Sequence, residues 1–190
     1  MNTQKIVGLA LLTAIVAVLQ VIAPAIRPAG GIFSISLVLV PIVIGAAIYG
    51  WKAGAWLGLV FSVIVLINDS TAFYAINPLG TIITVIVKGV TCGVIAGIVY
   101  DALNEKSTLV AAIAAAIICP IVNSGIFFLG CELFFLDGIK VWSTGAGYPD
   151  AGKYILFVII GVNFFIEMAV NIVLSSVIVK IIKAKATIEA

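Results

Sequence analysis

The sequence predicts an all-helical integral membrane protein, folded as a compact bundle of about six transmembrane helices. Hydrophobic residues make up 64% of the 190-residue chain and charged residues only 9%, against roughly 25% charge in soluble domains. The mean hydropathy of +1.34 agrees with this class. Because no polar stretch is long enough for a second domain, we expect residues 1–190 to form one transmembrane domain.

Apolar runs between polar or turn-rich breaks locate the predicted spans. They lie near residues 6–26, 34–50, 53–67, 79–101, 108–134 and 155–182. The second and third are short for a hydrocarbon core of about 30 Å, which needs roughly 20 helical residues. Pro41 and the glycines at positions 45, 50, 54 and 58 predict a bent, tightly packed pair there.

The basic residues predict how the bundle is oriented. In the six-span topology one side carries Lys5, Lys52, Lys106, Lys180, Lys183 and Lys185. The positive-inside rule makes that side cytoplasmic and places both termini there. The external side then holds longer connections at 24–33, 68–78 and 136–153. Such connections are suited to capturing a solute and closing over it, and we expect a multi-pass protein of the plasma membrane.

Polar side chains inside the predicted spans mark a candidate solute site. Lys88 lies on the fourth span, Asn123 on the fifth, and Asn163 and Glu167 on the sixth. Counted from the external ends of their helices, they lie roughly 12–18 Å deep. Ionisable residues at bilayer depth are costly and normally face a protein-enclosed site. An ammonium can hold a carboxylate, and amides both donate and accept hydrogen bonds, so these residues are predicted to bind substrate.

The same residues also have structural interpretations. A Lys88–Glu167 ion pair would lock two helices together, because buried charges are normally paired. An Asn in a transmembrane helix often bonds across a helix interface, for roughly 0.6–2 kcal/mol. Asn171, the deepest of the polar residues on the sixth span, fits that interpretation best.

Further substrate contacts are predicted around this group. Thr84 lies one turn outward from Lys88 on the same helical face. Asn77, Tyr74 and Trp142 lie in the external connections, where the two rings could cover an organic ligand. Anchoring at the membrane interface is the competing explanation for such aromatic residues.

Small residues spaced by four predict close helix contacts. Ala10 and Ala14 form an Ala-x-x-x-Ala pair on the first span, and Gly89, Gly93 and Gly97 repeat on the fourth. This spacing lets helices approach closely, either inside the bundle or against a partner. We expect internal packing for the glycines and leave both possibilities open for the alanines.

Several function classes are excluded or disfavoured. The chain has no His, and Cys92, Cys119 and Cys131 are scattered through apolar runs, so no common zinc or haem ligand set is predicted. The segment 147–153 (GYPDAGK) imitates a phosphate loop but is followed by Tyr154 instead of Ser or Thr. A net charge of +2 is too small to indicate nucleic acid. We therefore predict no enzyme activity, no catalytic residues, no metal and no cofactor in this chain.

Four stretches resemble a known family. They are 39–45 (LVPIVIG), 49–54 (YGWKAG), 119–123 (CPIVN) and 163–171 (NFFIEMAVN). With the Ala-x-x-x-Ala pair and the six predicted spans, they resemble the substrate-binding S-component of energy-coupling-factor (ECF) vitamin transporters over nearly the whole chain. The last two look similar to the group that includes pantothenate-type members. Trp51 departs from the Pro often found in that stretch, which leaves the local turn open.

The resemblance implies a protein that captures a vitamin from outside and docks on a transmembrane scaffold subunit driven by two cytosolic ATPases. ATP would be hydrolysed by those partners. The docking surface would be the face of Ala10 and Ala14. Pantothenate is the expected vitamin, with Lys88 on its carboxylate and Asn123 and Asn163 on its amide or hydroxyl groups.

Other functions stay open at this stage. Riboflavin, folate or a pyridoxine-like ring would also suit aromatic and amide side chains, and a hydroxymethylpyrimidine would suit Glu167. A stand-alone secondary transporter, with Lys88 and Glu167 relaying protons, is the rival class, although no inverted repeat is evident. A purely structural subunit would bind no solute.

Overall fold

The computed structural model describes residues 3–26 and 37–189, without the side chains of 162–163, 175–176, 178 and 182–189. This part of the chain is helical throughout, apart from short connections. The α-helices are α1 (Thr3–Ile22), α2 (Leu39–Tyr49), α3 (Trp51–Asn68), α4 (Thr71–Tyr74), α5 (Pro78–Asn104), α6 (Thr108–Gly130), α7 (Leu136–Gly145), α8 (Ala151–Tyr154) and α9 (Val162–Glu189). A 3₁₀ turn, Ala23–Ile26, extends α1.

The helices confirm the predicted fold class. Five helical stretches are long and apolar enough to cross a membrane: Thr3–Ala25, Trp51–Asn68, Pro78–Asn104, Thr108–Gly145 and Ala151–Ile181. Of the predicted second span, residues 34–36 lie outside the described part of the chain, and α2 contributes 11 described helical residues. At 1.5 Å per residue these 11 residues cover about 16 Å of a hydrocarbon core of about 30 Å.

The predicted connection 136–153 is helical for most of its length. The helix of the fifth span continues to Gly145, so that Thr108–Gly145 is one apolar helical stretch of 38 residues. A turn and the short helix α8 follow before the last span, and Asp150 Oδ1 caps α8 by accepting a hydrogen bond from Lys153 N at 3.1 Å. The charged residues Asp137 and Lys140 therefore lie on a helix, where they form an exposed ion pair at 3.1 Å.

Two π-helical segments interrupt the long helices, Cys131–Phe135 between α6 and α7 and Ile155–Gly161 between α8 and α9. The first segment explains a burial pattern spaced by four: Asn123, Phe127, Cys131, Phe135 and Ile139 are all buried. In an α-helix with 3.6 residues per turn, such a stripe rotates by about 40° at each step. A π segment bonds residue i to i+5 and has more residues per turn, so each residue rotates less around the helix axis. This compensates for the rotation in the α-helical part and keeps the buried residues on one face.

The helix pair α2–α3 is joined by a single residue, Gly50. Its backbone φ of +86° lies in the region that favours glycine. Leu39, Ile42 and Val43 of α2 are completely buried. The bent, tightly packed pair predicted from Pro41 and the glycines is thus present, with α2 inside the bundle.

Helices α3 and α5 pack closely in a contact that we call the glycine seam. It pairs Gly54 with Gly93 and Gly58 with Gly89, and a Cβ added at any of these four positions would clash with the facing glycine's backbone. One turn further along α3, Ser62 Oγ donates a hydrogen bond to Val85 O at 2.8 Å. The internal packing predicted for the fourth span is confirmed, and the seam holds α5 in a fixed position.

Candidate functional site

A small cavity lies where the end of α3, the short helix α4, the first half of α5 and the long α6–α7 helix meet. Its volume is about 260 Å³, which includes space open to solvent, and the enclosed part has room for about one water molecule. The polar side chains that line it belong to Asp69, Ser70, Thr81, Thr84 and Lys88. The aromatic side chains that line it belong to Phe73, Phe127 and Phe135.

Lys88 is the cation of this cavity. The glycine seam places it one residue before Gly89, and its side chain is only 8% exposed. Its Nζ lies 4.8 Å from the centroid of the Phe127 ring and 5.7 Å from that of Phe61, within the range of cation–π attraction. Among the residues that the structure describes, no carboxylate oxygen lies within 4.0 Å of Nζ. The carboxylates of Glu167 and Asp69 lie further away and attract the ammonium electrostatically.

Two buried polar atoms on α5 and α6 lack hydrogen-bond partners within the described part of the chain: Thr84 Oγ1 and Asn123 Oδ1. Thr84 is 3% exposed and packs against Gly130 of α6. Asn123 is 7% exposed and lies one turn from Phe127 on the same face of α6. Because a buried polar atom without a hydrogen bond costs about 1–3 kcal/mol, these two atoms are suited to contact a solute.

The ring of Phe73, on α4, closes the cavity on one side. Its centroid lies 5.6 Å from that of Phe127, 4.9 Å from Phe135 and 5.5 Å from Trp142, all edge to face. The helix that carries it has only four residues. An aromatic cluster thus covers Lys88, and its central ring is on the shortest helix of the site.

Among its described side chains, the last span carries two buried polar residues, one turn apart. Glu167 and Asn171 are buried, and Asn171 Nδ2 donates to the backbone carbonyl of Glu167 at 2.8 Å. Asn171 Oδ1 has no hydrogen-bond partner among the described residues. The side chain of Asn163 lies outside the described part of the chain, so its predicted contact stays a prediction.

The structure therefore brings only part of the predicted site to the cavity. Lys88 and Thr84 line it, whereas Asn123 and Glu167 are buried but are not among its described lining residues. Asn77 accepts a hydrogen bond from Gly80 N at 2.9 Å and caps α5. Trp142 reaches the cluster through Phe73, and Tyr74 is half-buried on α4.

Several lining residues were not predicted as substrate contacts: Asp69, Ser70, Phe127 and Phe135. One sequence signal could have found Phe127 and Phe135, the spacing of four that links them to Asn123. That spacing is recognisable only if a π segment is expected, because a regular α-helix would rotate Phe135 away.

Ala10 and Ala14 lie on a different surface. Both are exposed and line a broad groove with Ile6, Leu9, Thr13, Ala17 and Trp56. Trp56 Nε1 donates a hydrogen bond to Thr13 Oγ1 at 3.0 Å, which fixes the ring at the edge of the groove. Among the described residues, Ala10 and Ala14 therefore face an open groove and not a helix of the same bundle.

The described residues contain no cluster of three or more His, Cys, Asp or Glu side chains that could hold a metal ion. Cys92, Cys119 and Cys131 are buried free thiols. The described cavity lining offers groups for binding: one ammonium, one carboxylate, hydroxyl groups and aromatic faces.

Comparison with known proteins gives one match. The profile of the family described as ECF transporter, substrate-specific component, matches residues 4–179. No curated protein and no solved structure gave a significant match. Because the profile covers most of the chain, and five helical stretches are long and apolar enough to cross a membrane, the chain belongs to the substrate-specific components of ECF transporters, a family of non-enzymatic, multi-pass membrane subunits.

Proposed function

We propose that this S-component binds pantothenate beside Lys88 and delivers it through an energising module of one transmembrane scaffold and two cytosolic ATPases. Membership of the family implies such a module, in which the ATPases hydrolyse ATP. The observation that carries the substrate proposal is the buried Lys88 ammonium, which has no carboxylate within 4.0 Å among the described residues. A solute carboxylate would supply that partner.

The surroundings of Lys88 support an organic anion over an inorganic one. Thr84 Oγ1 has no hydrogen-bond partner among the described residues, and three phenylalanine rings line the same space. Pantothenate combines a carboxylate, an amide, two hydroxyls and a branched apolar centre. Its carboxylate matches Lys88, its amide matches Thr84 and its apolar centre matches the rings. Asn123 and Asn163 are retained as further contacts for the amide or hydroxyl groups.

Binding needs a movement in the aromatic cluster. The enclosed part of the cavity holds about one water molecule, so a vitamin cannot enter until lining side chains move. Phe73 is the best candidate to move, because its four-residue helix has few backbone hydrogen bonds of its own. We propose that α4 admits the solute and that Tyr74 and Trp142 lie along its path.

The test is a titration of the purified chain, monitored by tryptophan fluorescence. The ligands are pantothenate, riboflavin, folate, pyridoxine and hydroxymethylpyrimidine. A variant with Trp51→Phe and Trp56→Phe leaves Trp142 as the reporter beside Phe73. We expect tight one-to-one binding of pantothenate and a change in Trp142 emission. Tight binding of another vitamin would show that pantothenate is the wrong substrate assignment. No binding of any of these vitamins would favour a structural subunit.

The groove of Ala10 and Ala14 is the proposed docking surface for the scaffold. Its alanines allow close approach of a partner helix. Ala10→Leu combined with Ala14→Leu should abolish co-purification with the scaffold and leave vitamin binding unchanged. Val7→Leu, on an exposed position of α1 outside the groove, is the matched control and should retain the complex.

The rival function, a stand-alone proton-coupled transporter, makes a different prediction. Liposomes containing only this chain would accumulate the vitamin when a proton gradient is imposed. We expect no accumulation without the scaffold and the ATPases. Accumulation that depends on the gradient would contradict the proposed module.

A further inference from the structure

The two ends of the cavity carry opposite charges. The glycine seam fixes the antiparallel register of α3 and α5, since Gly58 faces Gly89 and Ser62 bonds Val85. Continued along α3, this register places Asp69 level with the first turn of α5. Lys88 lies ten residues into α5, about 15 Å further along the axis. We call these the α4 end and the Lys88 end.

The α4 end presents hydrogen-bond acceptors. Ser70 Oγ donates to Val65 O at 2.9 Å, and Thr81 Oγ1 donates to Asn77 O at 2.8 Å. Each hydroxyl has thereby used its one hydrogen and offers only lone pairs to a solute. The Asp69 carboxylate accepts as well. A solute group bound here must therefore donate, as hydroxyl groups do, whereas a carboxylate has no hydrogen to donate.

The Lys88 end has the opposite chemistry. An ammonium has three donors and no acceptor. The nearby Thr84 hydroxyl can donate to or accept from the middle of a solute, and the rings of Phe73 and Phe127 flank its apolar part. A carboxylate, which only accepts, fits this end and no other part of the lining.

We infer that the cavity takes an elongated hydroxylated monocarboxylate in one orientation, with its carboxylate at Lys88 and its hydroxyls at Asp69, Ser70 and Thr81. Asp69 is a specificity-determining residue, because its carboxylate can accept from a hydroxyl but has no hydrogen to offer the carboxylate of a reversed solute. The inference rests on the proposed function. Pantothenate fits it, with a carboxylate at one end and two hydroxyls at the other.

The test pairs changes in the ligand with changes in the protein, measured by calorimetry. Panthenol replaces the carboxylate of pantothenate with an alcohol, and a deoxy analogue lacks the primary hydroxyl. Each change should weaken binding to the wild-type chain at least about tenfold. Lys88→Met should erase the preference for pantothenate over panthenol but keep the penalty for the deoxy analogue. Asp69→Asn should erase the penalty for the deoxy analogue but keep the preference for pantothenate over panthenol.

Matched controls exist in the exposed pair of α7. Lys140→Met and Asp137→Asn repeat both substitutions at side chains that are 58% and 98% exposed. They should leave all affinities unchanged.

Because a site variant can fail to fold, the wild-type chain supplies an independent test. A pantothenamide, extended by an alkyl chain through the carboxylate, should not bind, since that end would be enclosed near Lys88.

The outcomes separate the two claims. If the wild-type chain does not bind pantothenate, the proposed substrate is wrong and this inference falls with it. The orientation is reversed if pantothenate binds but the variants exchange their effects. In that case Lys88→Met would erase the penalty for the deoxy analogue, and Asp69→Asn would erase the preference for pantothenate over panthenol. Tight binding of the extended pantothenamide would also overturn the orientation while leaving the proposed function intact.

Discussion

The glycine seam and the aromatic cluster over Lys88 are adjacent regions with opposite packing. In the seam, the backbones of α3 and α5 touch. The buried hydroxyl of Ser62 has two acceptors for its one hydrogen, Val85 O at 2.8 Å and Gly58 O at 2.9 Å. Around the cavity, rings meet edge to face, and Thr84 Oγ1 and Asn123 Oδ1 have no hydrogen-bond partner among the described residues. The seam is built to stay fixed, whereas the cluster retains polar groups that a solute can satisfy.

This difference assigns separate tasks to the two faces of α5. One face carries Gly89 and Gly93, which fix the helix against α3, and Lys88 projects beside them into the cavity. A charge held on a rigid helix is already positioned before the solute arrives. The part of the site that we propose to move is α4 with its ring, Phe73. Stability should be most sensitive in the seam, and affinity should be most sensitive around the cavity.

The largest effect on stability is expected for Gly58→Ala. The new Cβ would meet the carbonyl and Cα atoms of Gly89 and Val90, which cannot rotate away. We expect the free energy of unfolding in mixed micelles to fall by at least about 3 kcal/mol. Gly125→Ala is the control, because a Cβ at Gly125 meets no atom within 4 Å. A tolerated Gly58→Ala would mean that the seam is not a close backbone contact.

A smaller effect on stability is expected for Phe73→Leu. The substitution removes three edge-to-face ring contacts but keeps an apolar side chain, so unfolding should become easier by about 1 kcal/mol. Because Phe73 is proposed to admit the solute, association of pantothenate in stopped-flow fluorescence should become faster. Phe165→Leu, at a ring that is 70% exposed, should change neither quantity. Unchanged association would argue against α4 as the entrance.

The smallest effect is expected for Ser62→Ala. Its hydroxyl bridges α3 and α5 through Val85 O at 2.8 Å, but hydrogen bonds between transmembrane helices average only about 0.6 kcal/mol. The loss measured by unfolding in mixed micelles should therefore be well below that of Gly58→Ala. A larger loss for Ser62→Ala would show that hydrogen bonding, and not close packing, dominates the seam.

The regions also differ in how far the sequence predicted them. The repeat Gly89-x-x-x-Gly93 is a local pattern with one physical meaning, so the sequence predicted the packing on α5. The long apolar runs likewise predicted the helices, since a span must satisfy its backbone internally. Lys88 and Thr84 were found because polar groups are rare at that depth.

The remainder of the cavity depended on structure that no local pattern reveals. Phe135 reaches the cavity only because the π segment Cys131–Phe135 changes the helical register. Asp69 and Ser70 were read as parts of a connection, but the register of the seam places Asp69 level with the first turn of α5. Asn77 was predicted to bind solute, whereas its side chain caps α5; Asn is equally suited to both roles.

The central claim is that the Lys88 cavity is the vitamin site, and a structure of the chain with bound pantothenate tests it most directly. We predict a carboxylate oxygen about 2.7–3.2 Å from Lys88 Nζ, the hydroxyls toward Asp69, and Phe73 displaced from the Phe135 ring. Pantothenate bound elsewhere, with Phe73 in place and Lys88 still covered by the Phe127 ring, would contradict the account.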